Sequence, residues 1–333
     1  MNSSNVGAMV TMSVLLTAGS ILGLLMWPRT ALVFPLISFG VNSAAEGSDA
    51  VNELAAAIEK LRPLHKKLGR PQPGDWLAVH REPGQTFREY LRSRPVTPRG
   101  KRRVIYVQPL GEFTKAQHKI VTLTAEFMRC YFNLPVEIKE ALPLSIIPER
   151  ARRVHPSWGD KQILTSYVLD KVLRPRLPSD AAVYLALTTS DLWPGRGWNF
   201  VFGEASLRER VGVWSIYRNG DPARSDKSFR LCLLRTMKTA THEIGHMFSM
   251  MHCIEYACGM CGSNSRQESD RRPIALCPEC MAKVCWATGA DPVERYRRLA
   301  AFCKRQGLVA EEEFYAKSLK ALAAANPASL PSG

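Results

Sequence analysis

The chain shows no compositional extreme. With 46% hydrophobic, 23% charged and 8% aromatic residues, it has neither the glycine and proline excess of a collagenous chain nor the polarity of a disordered one. No internal repeat runs through it, which excludes a solenoid. Cysteine is nearly missing from the first three quarters, where only Cys130 and Cys232 occur, so no disulfide framework spans the chain. Six of the nine cysteines instead fall between Cys253 and Cys285, beside a histidine cluster, and point to metal binding. Cys130, Cys232 and Cys303 stand alone and read as small buried hydrophobes. Acidic residues are short, 30 against 45 Lys and Arg for a net charge of +15. They are shortest over residues 60–104, where 3 acids face 13 basic residues. That stretch reads as a solvated basic face with some attraction for phosphate or anionic lipid. Its aromatics, Trp76, Phe87 and Tyr90, do not interleave with the arginines as base-stacking residues would, so nucleic acid is not an expected partner.

Charge is also missing from the first 28 residues. Within them residues 10–27 (VTMSVLLTAGSILGLLMW) are long and apolar enough to cross a bilayer as a helix. A cleaved secretory signal fits less well, because a basic n-region is lacking and a site at Ser43-Ala44-Ala45 would need an unusually long leader. A dispensable extension is the remaining reading. If the segment spans, the basic residues 60–103 hold the following domain on the cytoplasmic side, giving an intracellular protein anchored through residues 10–27.

The 333 residues suffice for one large domain or two modest ones. Leu54, Ile58, Leu61, Leu64 and Leu68 recur at three- and four-residue steps and predict a helix over residues 52–68. Residues 104–110 (VIYVQPL) read as a strand, 115–132 as a helix, 162–173 as a helix and 182–189 (AVYLALTT) as a central strand. Residues 198–217 supply two strands split near 208–210, and 231–250 form a long helix. A cysteine-rich loop follows, then helices over 292–304 and 311–324.

The decisive stretch is residues 241–252, THEIGHMFSMMH. On a helix His242 and His246 project from one face, so two imidazoles can converge on zinc while the adjacent Glu243 points toward the water that the metal activates. His252 can reach the same ion only if the chain turns sharply near Ser249. Three imidazoles would leave a fourth position open, as in a catalytic site. Cys253 and Cys258, followed by Cys277 and Cys280 in a CPEC pair, have the spacing of a closed tetrahedral zinc site. Cys261 and Cys285 are spares that could replace a ligand.

HEIGHMFSMMHC, CGM at residues 258–260 and LCPEC at 276–280 resemble the archaemetzincin branch of the metzincin metalloproteases, whose extended motif is HExxHxxGxxH followed by a Met-turn. DWLAVHREPGQTF (75–87), YVQPLGEF (106–113) and NFVFGEASLRERVGVWS (199–215) resemble the branch too. The resemblance implies two zinc ions per chain, a catalytic one on His242, His246 and His252 and a structural one on Cys253, Cys258, Cys277 and Cys280. It also implies Glu243 as general base, Met260 as the methionine beneath the histidines, and residues 199–205 as an edge strand along which an extended peptide lies. One departure is Ser249, where the motif has glycine. If that residue needs positive φ, serine costs about 1 kcal/mol.

These readings predict an α/β (α+β) protein of the minimal metzincin type, a mixed twisted sheet packed on helices with a small Cys-rich C-terminal lobe. Its expected divisions are an apolar segment (1–45), a basic helical and linker region (46–103), a catalytic subdomain (104–252) and the lobe (253–325). The expected activity is zinc-dependent hydrolysis of peptide bonds in a peptide or protein substrate. The competing reading is a catalytically weak or inactive zinc-binding interaction module, for which Glu243 would have no chemical use. Oligomeric state leaves no mark on the sequence.

Overall fold

The computed structural model describes residues 43–206 and 209–324. The apolar segment 10–27 lies outside them; among the described residues no helix is long and apolar enough to cross a membrane. The helices are α1 (Ser43–Leu61), α2 (Trp76–Val79), α3 (Phe87–Arg92), α4 (Lys115–Phe132), α5 (Thr165–Tyr167), α6 (Asp226–Met247), α7 (Arg266–Arg271), α8 (Pro278–Thr288), α9 (Pro292–Gln306) and α10 (Val309–Ala323). The strands are β1 (Val104–Leu110), β2 (Val136–Ile138), β3 (Arg152–Val154), β4 (Lys161–Leu164), β5 (Ala181–Thr188), β6 (Asp191–Trp193), β7 (Gly203–Ser206) and β8 (Val211–Ser215).

Five strands form the main sheet in the order β2-β1-β5-β8-β7. It is parallel except for β7, which runs antiparallel to β8 at the edge. The apolar run predicted as a central strand is β5, buried along its whole length, as a strand covered on both faces must be. Its side chains alternate: Val183, Leu185 and Leu187 join the core with α1, α4, α6, α8 and α9, while Tyr184 and Ala186 join a second core on the opposite face. That second face is covered by a π-helical turn, Val168–Leu173, beside a small sheet of β3, β4 and β6.

α4 spans the residues predicted for it, with a capping box between Thr114 and Gln117 and Asn133 in the left-handed region at its end. Other boundaries differ from expectation for identifiable reasons. The helix expected over 52–68 starts at Ser43 and stops at Leu61, because Pro63 cannot continue the hydrogen-bond ladder. Leu64 is consequently exposed. The helix expected over 162–173 opens instead as β4, whose backbone is claimed by β3 and β6 on either side. The loop expected around the cysteines contains α8, hidden from sequence reasoning because its N-cap is a cysteine; Pro278 starts it and Gly289 ends it in the left-handed region.

α1 packs on α8 and α10, so part of the basic stretch is tied to the C-terminal elements. Lys60 donates to the carbonyls of Leu322 and Ala324, Arg103 to that of Thr288, and Arg99 lies over Trp286.

Candidate metal centres

α6 starts at Ser225, whose hydroxyl accepts from the Ser228 N–H, and runs beside the sheet to the point where the three histidines meet. Its end is a Schellman closure: the Ser249 N–H donates to His246 O at 2.8 Å and the Met250 N–H to Gly245 O at 3.0 Å. The residue between these two bonds must be left-handed, and Ser249 has φ +64°. The turn that sequence reasoning required near Ser249 is therefore present, and glycine is the residue such a position ordinarily takes.

Serine has its own compensation. Its Oγ accepts from the Val96 N–H at 3.0 Å, a bond glycine cannot make. The cost of about 1 kcal/mol expected from the sequence is therefore largely offset, since a hydrogen bond contributes about the same amount. Ser249→Gly should leave the melting temperature nearly unchanged. Ser249→Ala keeps the strained φ and loses the bond, and should lower it by about 2–4 °C. Thermal unfolding of the two variants checks this, and a clear rise for Ser249→Gly would show that the Val96 bond contributes nothing.

The turn brings His252 back to the helix. The ring centroids of His242, His246 and His252 stand 4.6–5.2 Å apart. Each ring has Nδ1 against an oxygen: Gly259 O at 2.9 Å for His242, Met250 O at 2.7 Å for His246 and Glu82 Oε1 at 2.7 Å for His252. A backbone carbonyl can only accept, so Nδ1 of His242 and of His246 must carry the proton. Each neutral ring then presents a bare lone pair at Nε2, and these two atoms are 3.0 Å apart. Neither can donate to the other. His252 Nε2 is likewise buried with no partner. Burial pulls the His242 pKa down to about 4 and that of His246 well below its usual value, so both rings are neutral at pH 7. Three inward-facing nitrogens with protons held outward fit a cation and little else.

Glu243 is 5% exposed and its Oε2 has no partner. Burial, with the charge of Glu204 behind it, pushes its carboxyl up to about 8. Met260 lies against α6: a Cβ on Gly245 would come within 2.5 Å of its sulfur. The glycine of HEIGH thus leaves the space that Met260 fills beside His246.

The sulfurs of Cys253, Cys258, Cys277 and Cys280 lie within 4.8 Å of one another, all four residues buried. Cys258 Sγ accepts from the N–H groups of Met260 at 3.4 Å and Cys277 at 3.2 Å, and Cys277 Sγ from that of Cys280 at 3.5 Å. Backbone donors around sulfur suit thiolates. Without a cation the sulfurs oppose one another: hydrogen bonding from its neighbours, Cys258 foremost, pulls the Cys253 thiol down, while burial pushes that of Cys258 up. A divalent ion would remove the conflict by taking four thiolates. Cys261 stands aside and donates to Tyr256 O, and Cys285 contacts Met281; neither belongs to the four-sulfur group.

Sequence reasoning assigned no role to Glu82, Trp76, Glu204 or Arg266. Glu82 orients His252, Trp76 stands edge-on to that ring at 5.1 Å, and Glu204 of β7, which accepts from the Thr165 hydroxyl, opposes ionisation of Glu243 through its charge. Trp76 and Glu82 fall in the stretch DWLAVHREPGQTF, where a signal was present without a function attached.

A model of peptidase family M54 matches residues 158–285. Archaemetzincin-2 of Homo sapiens is 36% identical over 259 residues, covering 68% of this chain and 71% of its own length. Archaemetzincin of Archaeoglobus fulgidus is 32% identical over 180 residues, 54% of this chain and 98% of its own. A crystal structure of archaemetzincin from Methanopyrus kandleri shares 29% identity, covers 58% of this chain and 99% of that one, and superposes with a TM-score of 0.46. A third of the residues kept over two thirds of both this chain and the human protein makes this chain a member of the archaemetzincins, a zinc metallopeptidase family.

Proposed function

We propose that the chain hydrolyses peptide bonds with one zinc ion held by Nε2 of His242, His246 and His252, that Glu243 is the general base, and that Cys253, Cys258, Cys277 and Cys280 hold a second, structural zinc. The observation that carries the reading is the pair of bare nitrogens of His242 and His246 at 3.0 Å, their protons already committed to carbonyls. When bound, zinc supplies the Lewis acid that polarises a scissile carbonyl and acidifies water, and its charge favours the ionised form of Glu243. Glu243 leaves the same helix turn as His242, so its free Oε2 accepts the proton of the attacking water and returns it to the leaving amine. Glu82 holds His252 in the tautomer that leaves Nε2 free. Trp76, buried against His252 and His80, keeps bulk water from that side of the cleft. β7 is the outermost strand of the sheet, and an extended peptide pairing along its open edge would run past Glu243. Met260 buttresses α6 at Gly245.

The two ligand groups share no residue, so elemental analysis of the purified chain should find two zinc ions. A mild chelator should remove the histidine-bound ion first and abolish peptide hydrolysis, and added zinc should restore it, while the cysteine-bound ion stays. One zinc per chain, or activity indifferent to chelation, would overturn the assignment.

A further inference from the structure

The cleft carries positive charge that the chemistry above leaves unused. Lys238, Arg266 and Arg272 line the same cavity as His242, Glu243 and His252. Lys238 lies one turn before His242 on α6 and donates to the carbonyls of Ser269 and Arg272. Arg272 reaches Glu268 at 3.4 Å, a carboxylate that already accepts from the N–H groups of Trp76 and Asn264. Arg266 has no such outlet. Among the described residues nothing accepts a hydrogen bond from it, and its Nε and Nη2 are buried without a partner. Asp270, on the same helix, is held in a two-point pair by Arg235. The guanidinium lies instead on the ring of Phe202, 3.7 Å from its centroid, and Phe202 both lines the cavity and leads directly into β7. Burial lowers the pKa of Arg266 only to about 10, so it is charged at pH 7. Leaving two buried guanidinium nitrogens unpaired is expensive, and this cation stands at the head of the strand along which the peptide would run.

We infer that the cleft selects peptides with a carboxylate next to the scissile bond, and that Arg266 binds it, with Lys238 and Arg272 setting the sign of the surrounding potential. The inference rests on the peptidase reading above. A carboxylate is the group indicated because its two oxygens match the planar fork of a guanidinium. The carboxylate has two sources, an Asp or Glu side chain or the terminus of the peptide itself.

Four peptides separate these sources: one sequence with Glu or Gln beside the cleaved bond, each with a free or an amidated C-terminus, assayed with the zinc-loaded full chain. One acidic member should be preferred by about tenfold or more in kcat/KM, mainly through KM. A Glu over Gln preference identifies the side chain; an acid over amide preference identifies the terminus. The preference should fall toward unity in Arg266→Met and return in part in Arg266→Lys. Equal cleavage of all four peptides by the wild-type chain, or a preference that survives in Arg266→Met, overturns the inference while leaving the peptidase reading intact. If no peptide is cleaved, the peptidase reading has failed, and calorimetric binding to the Glu243→Gln protein decides the rest. Tighter binding of an acidic peptide than its neutral twin supports the carboxylate site, and equal binding overturns it.

Discussion

Glu243→Ala should keep both zinc ions and lose peptide hydrolysis by about two orders of magnitude or more, the range for removing a positioned general base. The proposed ligands are imidazole nitrogens and thiolates, so the substitution removes no metal contact. It also spares the helix, since alanine is the best helix former and α6 is anchored from Ser225 to Phe248. What disappears is a buried carboxylate oxygen on α6, one residue from His242, with no partner of its own. Activity and zinc content measured on the same preparation check the result: retained zinc with full activity would remove Glu243 from the mechanism.

A second readout needs no substrate. With no ion on the histidines, burial and then Glu204 oppose the charge of the Glu243 carboxyl and push its pKa up to about 8, whereas unfolded it titrates near its ordinary value of about 4.3. Between those values the folded chain binds more protons than the unfolded one, so this residue's contribution to stability declines as pH rises through the window. Glu243→Gln, neutral throughout, should therefore melt higher than the wild type at pH 8, with the gap closing toward pH 4, when both proteins have been stripped of the histidine-bound ion alone. A pH-independent gap would mean that the carboxyl is not desolvated as described.

Cys280→Ser should have the larger effect on the fold. Four buried sulfurs within 4.8 Å make a closed site, and in such sites metal binding is folding free energy, about 10–16 kcal/mol for isolated zinc-finger peptides. Serine is a poor zinc ligand, so the ion should be lost and the melting temperature should drop by about 10 °C or more. Loss should also spread to the histidines. Cys253 follows His252 in the chain, and the Cys258 sulfur accepts from the Met260 N–H, so loosening the sulfur cluster frees both His252 and the methionine packed against Gly245. Elemental analysis of Cys280→Ser should then find neither zinc. Cys285→Ser, outside the group but equally buried, is the control and should retain both. A Cys280→Ser protein that keeps its zinc and its melting temperature would leave the cluster as ordinary buried thiols.

The parts of this protein that could be read from the sequence are those in which the interacting groups are neighbours along the chain. Spacing of four puts His242 and His246 on one helix face; a continuous apolar run makes β5 the centre of the sheet; Thr114 and Gln117 cap α4 from three residues apart. The CPEC pair is visible for the same reason, Cys277 being the N-cap whose sulfur meets the Cys280 N–H. What only the tertiary structure decided depends on residues far apart in sequence. Glu82 meets His252 across 170 positions, Ser249 is answered by Val96 across 153, and Arg266 lies on Phe202 of a different element. A carboxylate or an arginine carries no periodicity, so nothing local distinguishes one facing water from one buried beside a histidine. The same limit hid β4, whose residues read as helix until strands on both sides claimed their backbone. Covalent spacing constrains partners within a turn or two; beyond that, the partner is chosen by where the packed sheet and helices bring the chain back.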